Sequence, residues 1–367
     1  MRILYGIVGE GMGHAMRSRV VLDHLAHSHQ VQAVVSGRAH DYLKARESER
    51  LGVKKIWGLT IVYEDNEVRN FHTLFRNLKG AVGGGWPKNV RTYFEIAEAF
   101  EPDVVVSDFE SWSYLFARSH RIPVISLDNI QVLSRCAHAP DILHGHELDF
   151  QLAKAVVKAK LPGCLHYLVT SFFFPPVRKP RTSLYPPVLR PEIVAAVADR
   201  GEHLLVYQTS ESNTDLPALL RQSGQECRIY GLRRDLKEDL EDGKLLFRPF
   251  SESAFIDDLR TARAVVANGG FTLLSEAVYL SKPVLSVPVK KQFEQLLNAR
   301  YLEKEGYGLG VDQLTSARMG QFLERLSEFE EKLSHYHQDG NRKILGALDE
   351  LLARAPKEQA EGDWDVD

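Results

Sequence analysis

Short apolar runs bounded by turn residues alternate along this chain with longer stretches whose apolar positions recur at helical spacing, the pattern of a parallel α/β sheet. In the first half the strand-like runs fall at residues 3–8, 31–35, 55–59, 104–107, 124–127 and 167–170. In the second they fall at 203–208, 227–230, 245–247, 264–267 and 284–287. Between the two sets lies a stretch dense in proline, from Pro175-Pro176 through Pro180 and Pro186-Pro187 to Pro191, whose backbone sustains neither a helix nor a central strand. The pattern predicts two parallel-sheet domains facing across a cleft: residues 1–175, a linker over 176–200, and residues 201–340. A last helix over 341–355 is expected to pack back on the first domain, and the polar, acidic residues 356–367 to be disordered. In such sheets ligands collect outside the carboxyl ends of the strands.

Composition agrees without adding chemistry. A chain of 367 residues is long for one core and natural for two domains. With 44% hydrophobic and 26% charged residues it reads as an ordinary globular protein, and a formal net charge of −3 supplies no basic field for nucleic acid. Cys136, Cys164 and Cys227 are widely spread with no Cys-x-x-Cys pair, which speaks against a disulfide framework or zinc site and for a reducing compartment. His138, His144 and His146 lie in a loop-like stretch without the spacing of a metal site. No cofactor and no metal are expected. No apolar run is long enough to span a bilayer, and the opening strand turns polar too soon for a signal peptide. A cytoplasmic protein is expected, at most peripheral to the inner face of the membrane.

The sharpest chemical signal is Asn268-Gly269-Gly270-Phe271-Thr272, which breaks the apolar run 264–267 with residues that tolerate positive φ and opens a helix carrying Glu276. A helix beginning there presents free backbone N–H groups and the positive end of its dipole, where anions bind. Glu276 lies about one and a half turns in, placed to accept hydrogen bonds from the vicinal hydroxyls of a ribose. After the next run, Glu294, Gln295 and Asn298 supply polar groups suited to sugar hydroxyls.

A second signal stands at the N-terminus. Residues 3–8 run into Gly9-Glu10-Gly11-Met12-Gly13-His14, a glycine-rich turn leading to a helix that carries Arg17. Its glycine spacing departs from the dinucleotide fingerprint, which needs glycines at the first, third and sixth places. A histidine at such a turn suits proton abstraction near neutral pH. The run 104–107 ends in Asp108, followed by Phe109 and Glu110. Asp108 is the expected partner that orients His14, with Glu110 as the alternative, although an acidic residue after a strand commonly caps a helix instead.

Taken together, these residues resemble those of GT-B fold glycosyltransferases. The segment from about Phe247 to Ala299 is similar to the donor-binding half of the enzyme that adds N-acetylglucosamine to make lipid II, and to the UDP-glycosyltransferase superfamily. The resemblance implies two Rossmann-like domains of α/β class facing across a cleft. It implies an inverting, metal-independent hexosyltransferase that moves a sugar from a nucleotide-diphosphate donor, foremost a UDP-sugar, to a hydroxyl acceptor such as a lipid-linked or cell-envelope glycan. By that likeness His14 is the base, Asp108 or Glu110 its partner, and Gly11, Gly13 and Arg17 form the acceptor-side loop. The donor diphosphate falls to Asn268, Gly269, Gly270, Phe271 and Thr272, the ribose to Glu276, and the donor sugar to Glu294 and Gln295. Phe250, within the same segment, and Thr209 and Ser210, in the polar loop after residues 203–208, complete the donor set. Asn268 stands where many relatives place His or Ser, which leaves base and sugar open.

The acceptor side is less specific. Phe71, Leu74, Phe75 and Leu78 recur at helical spacing among Arg69, Arg76 and Lys79, before Gly83-Gly84-Gly85-Trp86, Lys88 and Arg91. An apolar face beside basic residues fits an anionic membrane surface and a lipid-linked acceptor. A buried helix face with solvated arginines fits the same residues and is preferred. Two other functions share the site residues: a nucleotide-sugar hydrolase, with water replacing the acceptor, and a non-catalytic nucleotide-sugar-binding protein.

Overall fold

The computed structural model describes residues 1–9, 11–56, 63–64, 67–68, 86–208 and 215–361. The first sheet contains β1 (Arg2–Ile7), β2 (Gln30–Val35) and β3 (Leu51–Lys55); a short antiparallel pair, β4 (Tyr63–Glu64) and β5 (Glu67–Val68), stands apart from it. The sheet continues with β6 (Val104–Asp108), β7 (Val124–Asp128), β8 (His166–Thr170) and β9 (Thr182–Tyr185), in the order β3-β2-β1-β6-β7-β8-β9, with every pairing parallel. The second sheet holds β10 (Leu204–Tyr207), β11 (Cys227–Tyr230), β12 (Leu240–Asp242), β13 (Leu245–Arg248), β14 (Ala264–Ala267), β15 (Val284–Ser286) and β16 (Gly308–Gly310). Their order is β12-β13-β11-β10-β14-β15-β16, and the edge strand β12 is antiparallel. The central strands are buried on both faces, as parallel strands covered by helices must be.

The helices that matter for the site are α1 (Met12–Ser28), α2 (Ser111–Ser119), α3 (Glu147–Lys160), α4 (Glu252–Thr261), α5 (Phe271–Tyr279), α6 (Phe293–Lys304) and α7 (Arg342–Glu361). Helix α7 packs Ile344, Leu348, Leu351 and Leu352 into the same buried cluster as Ile3, Tyr5 and Val104, and Asp349 bonds His24 of α1 at 2.9 Å. An aromatic seam joins the two halves. Phe172, just past β8, stacks on Phe271 with centroids 6.0 Å apart, and Phe173 stacks on Tyr301 at 3.9 Å.

The strand after β2 is Leu51–Lys55, with Leu51 and Val53 pointing into the core where Lys54 and Lys55 do not, and residues 57–59 of the run expected at 55–59 lie outside the described residues. Two expectations change. The proline-rich stretch contains β9, which serves as the outer edge of the first sheet, the place where neighbouring prolines cost no ladder bond. Helix α7 continues through Pro356 to Glu361, within the tail expected to be disordered, whose residues 362–367 lie outside the described residues: its apolar face, ending in buried Ala355, docks on the first sheet and carries the helix past the missing N–H.

Candidate active site

Strand order assembles the site. Strands β1, β6 and β7 are neighbours, so their carboxyl ends place the start of α1, Asp108 and the Asp128-Asn129 turn side by side. His14 and Arg17 lie one turn apart on α1 and both reach Asp108. His14 Nδ1 is 2.9 Å from Asp108 Oδ1. Arg17 grips the same carboxylate through Nη2 to Oδ1 at 2.5 Å and Nε to Oδ2 at 3.3 Å, and Ser18 Oγ donates to Oδ2 at 2.9 Å.

Asp108 is fully buried, and burial alone would raise its carboxyl. The Arg17 guanidinium, then His14, overcome that effect and hold it down at about 2. An ionised carboxylate only accepts, so the Asp108 contact requires Nδ1 of His14 to donate, which leaves the lone pair on Nε2. Arg17 Nη2 also lies 2.9 Å from Nδ1 and abuts the ring without sharing that proton. The His14 side chain is 16% exposed. Nearby, burial and the charge of Asp108 push the Asp128 carboxyl up to about 6, although it accepts from Ser126 Oγ and Gln131 N, each at 2.8 Å.

Glu110 has another task. It is the N-cap of α2, with Oε1 accepting from Trp112 N at 2.8 Å and Oε2 from Ser113 N at 2.7 Å, while Nδ1 of His14 bonds Asp108. The alternative partner for His14 is thus a cap, the commoner use of a carboxylate at this place.

Two helix starts converge. Neither α1, entered from Gly11, nor α5, entered from Gly270, has a side-chain cap or an acidic residue in its first turn, so their leading N–H groups stay open to an anion. A Cβ on Gly13 would lie 2.6 Å from Thr272 Oγ1, and this closeness brings the two starts together. The Asn268-Gly270 turn differs from expectation: neither glycine adopts positive φ, and Gly269 is required by space, since a Cβ there would meet Gln295 O at 2.4 Å. Gln295 and Asn298 serve this turn directly. Gln295 Oε1 accepts from Gly269 N at 3.1 Å and Val289 N at 3.0 Å, and Asn298 Nδ2 donates to Gly269 O at 3.0 Å.

Asn129 was not legible as a site residue. Its Oδ1 accepts from Arg17 Nη1 and its Nδ2 donates to Glu294 Oε1, both at 2.7 Å, linking the Asp108 cluster of the first sheet to α6 of the second. Arg190 was missed as well. It meets Glu276 in a bidentate pair at 2.7 Å through both oxygens and reaches Glu252 at 2.9 Å. Arg19 of α1 joins that chain through Glu252 and Glu192. Glu276 is therefore neither free nor exposed; two of its roughly four acceptor directions are taken. The only signal for Arg190 was an arginine inside a proline-rich joint.

The remaining expected residues divide. Phe271 packs in the interdomain seam, Asn268 follows β14, and Phe250 is 59% exposed near Phe255. Thr209, Ser210 and the stretch from Arg69 to Gly85 lie outside the described residues. Arg91 is exposed and bonds Glu95 at 3.0 Å. His138 has its ring nitrogens on Tyr301 Oη and Val132 O.

Two mostly parallel seven-stranded sheets flanked by helices are the architecture of GT-B glycosyltransferases. Phytolacca americana UGT2, solved with UDP-2fluoro-glucose and pterostilbene, superposes with a TM-score of 0.66 at 13% identity, covering 96% of this chain and 98% of that one. MurG of Acinetobacter baumannii gives 0.58 at 14% identity over 95% and 99%. The chain belongs to glycosyl transferase family 1, whose model matches residues 1–327. An uncharacterized glycosyltransferase of Methanosarcina acetivorans is 24% identical over 341 residues, 86% of this chain and 84% of the relative.

Proposed function

We propose that this glycosyltransferase inverts the anomeric centre of a nucleotide-diphosphate sugar, with His14 as general base. The observation that carries the reading is the His14–Asp108 pair at 2.9 Å, set at an open helix start. The acceptor hydroxyl gives its proton to His14 Nε2 as its oxygen attacks the anomeric carbon, and the bond to the diphosphate oxygen breaks. Asp108 fixes the tautomer and stabilises the imidazolium, and Arg17 keeps Asp108 charged and oriented. The open N-termini of α1 and α5 receive the diphosphate and stabilise its charge as it leaves, a role that needs no metal.

Glu294, with Asn129 beside it, faces the donor sugar; Gln295 acts by holding Gly269 and Val289 in place. Glu276, fixed by Arg190, forms the nucleoside wall and offers its remaining lone pairs to ribose hydroxyls. A UDP-sugar is the preferred donor, because the superposed plant enzyme binds one. A thermal-shift screen against UDP-, GDP-, TDP- and CMP-sugars identifies the base. The decisive test is His14→Ala, which should abolish transfer and leave nucleotide affinity nearly unchanged. Full activity in that variant removes the base assignment.

A further inference from the structure

A single carboxylate oxygen lies between two arginines from different halves of the chain. Glu252 Oε1, at the first residue of α4, accepts from Arg19 Nη1 of α1 at 3.3 Å and from Arg190 Nη1 of the proline-rich joint at 2.9 Å. Both other nitrogens of Arg190 are committed to Glu276 at 2.7 Å, so the guanidinium that orients Glu276 is itself located by Glu252. Arg19 donates to Tyr42 Oη of the first half at 3.0 Å, and its Nη2 donates to Glu192 of the joint. The two arginine side chains are each 3% exposed, against 33% for Glu252. Buried guanidinium groups need their counter-charge where they stand, and an oxygen shared by two of them couples their positions. An acidic first residue commonly serves its own helix through the dipole. Here Ser251 Oγ caps α4 by accepting from Ala254 N at 3.4 Å, and the Glu252 carboxylate goes to the two arginines.

We propose that Glu252 is a positioning residue that couples the nucleoside wall to the helix carrying His14. Helix α1 holds His14 and Arg17 near its start and Arg19 further along. Through Glu252 that helix is tied to Arg190, and through Arg190 to Glu276. Without the shared oxygen Arg190 is released from α1, Glu276 keeps its partner but loses its fixed aim, and a nucleoside held by Glu276 binds less tightly. The coupling is reciprocal: a nucleoside that fixes Glu276 and Arg190 favours the placement of α1 that Arg19 marks. The inference rests on the nucleoside role given to Glu276 above and is independent of the acceptor.

Calorimetric titration of the full-length protein with UDP tests it through a double-mutant cycle. Glu252→Ala and Arg19→Met should each weaken UDP binding roughly tenfold, and the double variant should be no worse than Glu252→Ala alone. Glu192→Ala, which breaks the other ion pair of Arg19 and spares the shared oxygen, should stay within about twofold of the wild type. Where Arg19→Met or Glu252→Ala fails to fold, Arg19→Lys and Glu252→Gln complete the cycle. A residue that only stabilises the fold would lower the thermal midpoint and leave UDP affinity unchanged, which overturns the proposal. So do losses in the cycle that simply add, or a loss in Glu192→Ala as large as in Glu252→Ala. Arg190→Met with Glu276→Leu, which removes both buried charges, is the control for the nucleoside reading. Weaker UDP binding in that control upholds the reading whatever the cycle gives, whereas unchanged binding there, or a wild type that binds none of UDP, GDP and TDP, removes the reading and the proposal together.

Discussion

The amide of Asn129 donates to Glu294 across 2.7 Å, joining the turn after β7 in one sheet to the start of α6 in the other. Because its carbonyl accepts from Arg17, the amide is the one-residue bridge between the His14–Asp108 cluster and the side chain assigned to the donor sugar.

Replacing Asn129 therefore separates two halves of one machine. Asn129→Ala should lower donor kcat/KM by roughly tenfold to a hundredfold, the scale of a lost hydrogen bond to a charged group. Asn129→Asp should do worse at neutral pH, since it sets a carboxylate against Glu294, and should recover partly as pH falls. Equal losses at all pH values would argue that the amide acts only in packing.

The Arg190–Glu276 pair is buried on both sides. Arg190→Ala leaves Glu276 without its partner and should cost about 3–5 kcal/mol of stability, whereas Arg190→Met with Glu276→Leu should restore most of it. Urea unfolding reads both. In Arg190→Lys, which keeps the charge and loses the fork, nucleotide affinity measured by calorimetry should fall more than stability does.

Two buried carboxylates give opposite pH dependences. Asp108, folded at about 2 and ordinarily near 3.9, adds stability that is complete above about pH 4 and lost as pH falls toward 2. Asp128, folded at about 6, lies above its unfolded value, so the folded state favours its proton. Its cost is absent below about pH 4 and grows as pH rises through 6. Asp128→Asn should accordingly flatten the fall in stability between about pH 4 and 6.5, and Asp108→Asn should flatten the acid limb. A wild-type profile with the same slope as Asp128→Asn across that window would contradict the assignment.

Adjacent glycines should respond differently to the same change. Gly269→Ala drives a methyl into Gln295 O and should cost about 1–3 kcal/mol, with weaker nucleotide binding as the turn shifts. Gly270→Ala meets nothing within 4 Å and should be close to neutral in stability. Thermal melts of the two variants, with and without UDP, make the comparison.

Local pattern carried the elements and several chemical residues. Short apolar runs marked most strands because buried parallel strands are apolar on both faces, and β9 escaped notice because edge strands tolerate the prolines that masked it. His14 and the Asn268-Gly270 turn were visible because a strand, a glycine turn and a helix are contiguous in the chain. Glu110 could be read either as a partner or as a cap, and only its bonds to Trp112 and Ser113 decided between them.

What the sequence by itself determined was the alternating α/β order, the two halves, and the residue types standing at the ends of strands, all of which depend on neighbours a few positions away. The tertiary structure alone decided that Arg17 clamps Asp108, that Asn129 reaches Glu294, and that Arg190 holds Glu276. Those partners lie 91, 165 and 86 residues apart. Their meeting depends on the order in which strands join a sheet and on how the halves close, and neither leaves a periodic mark on the chain.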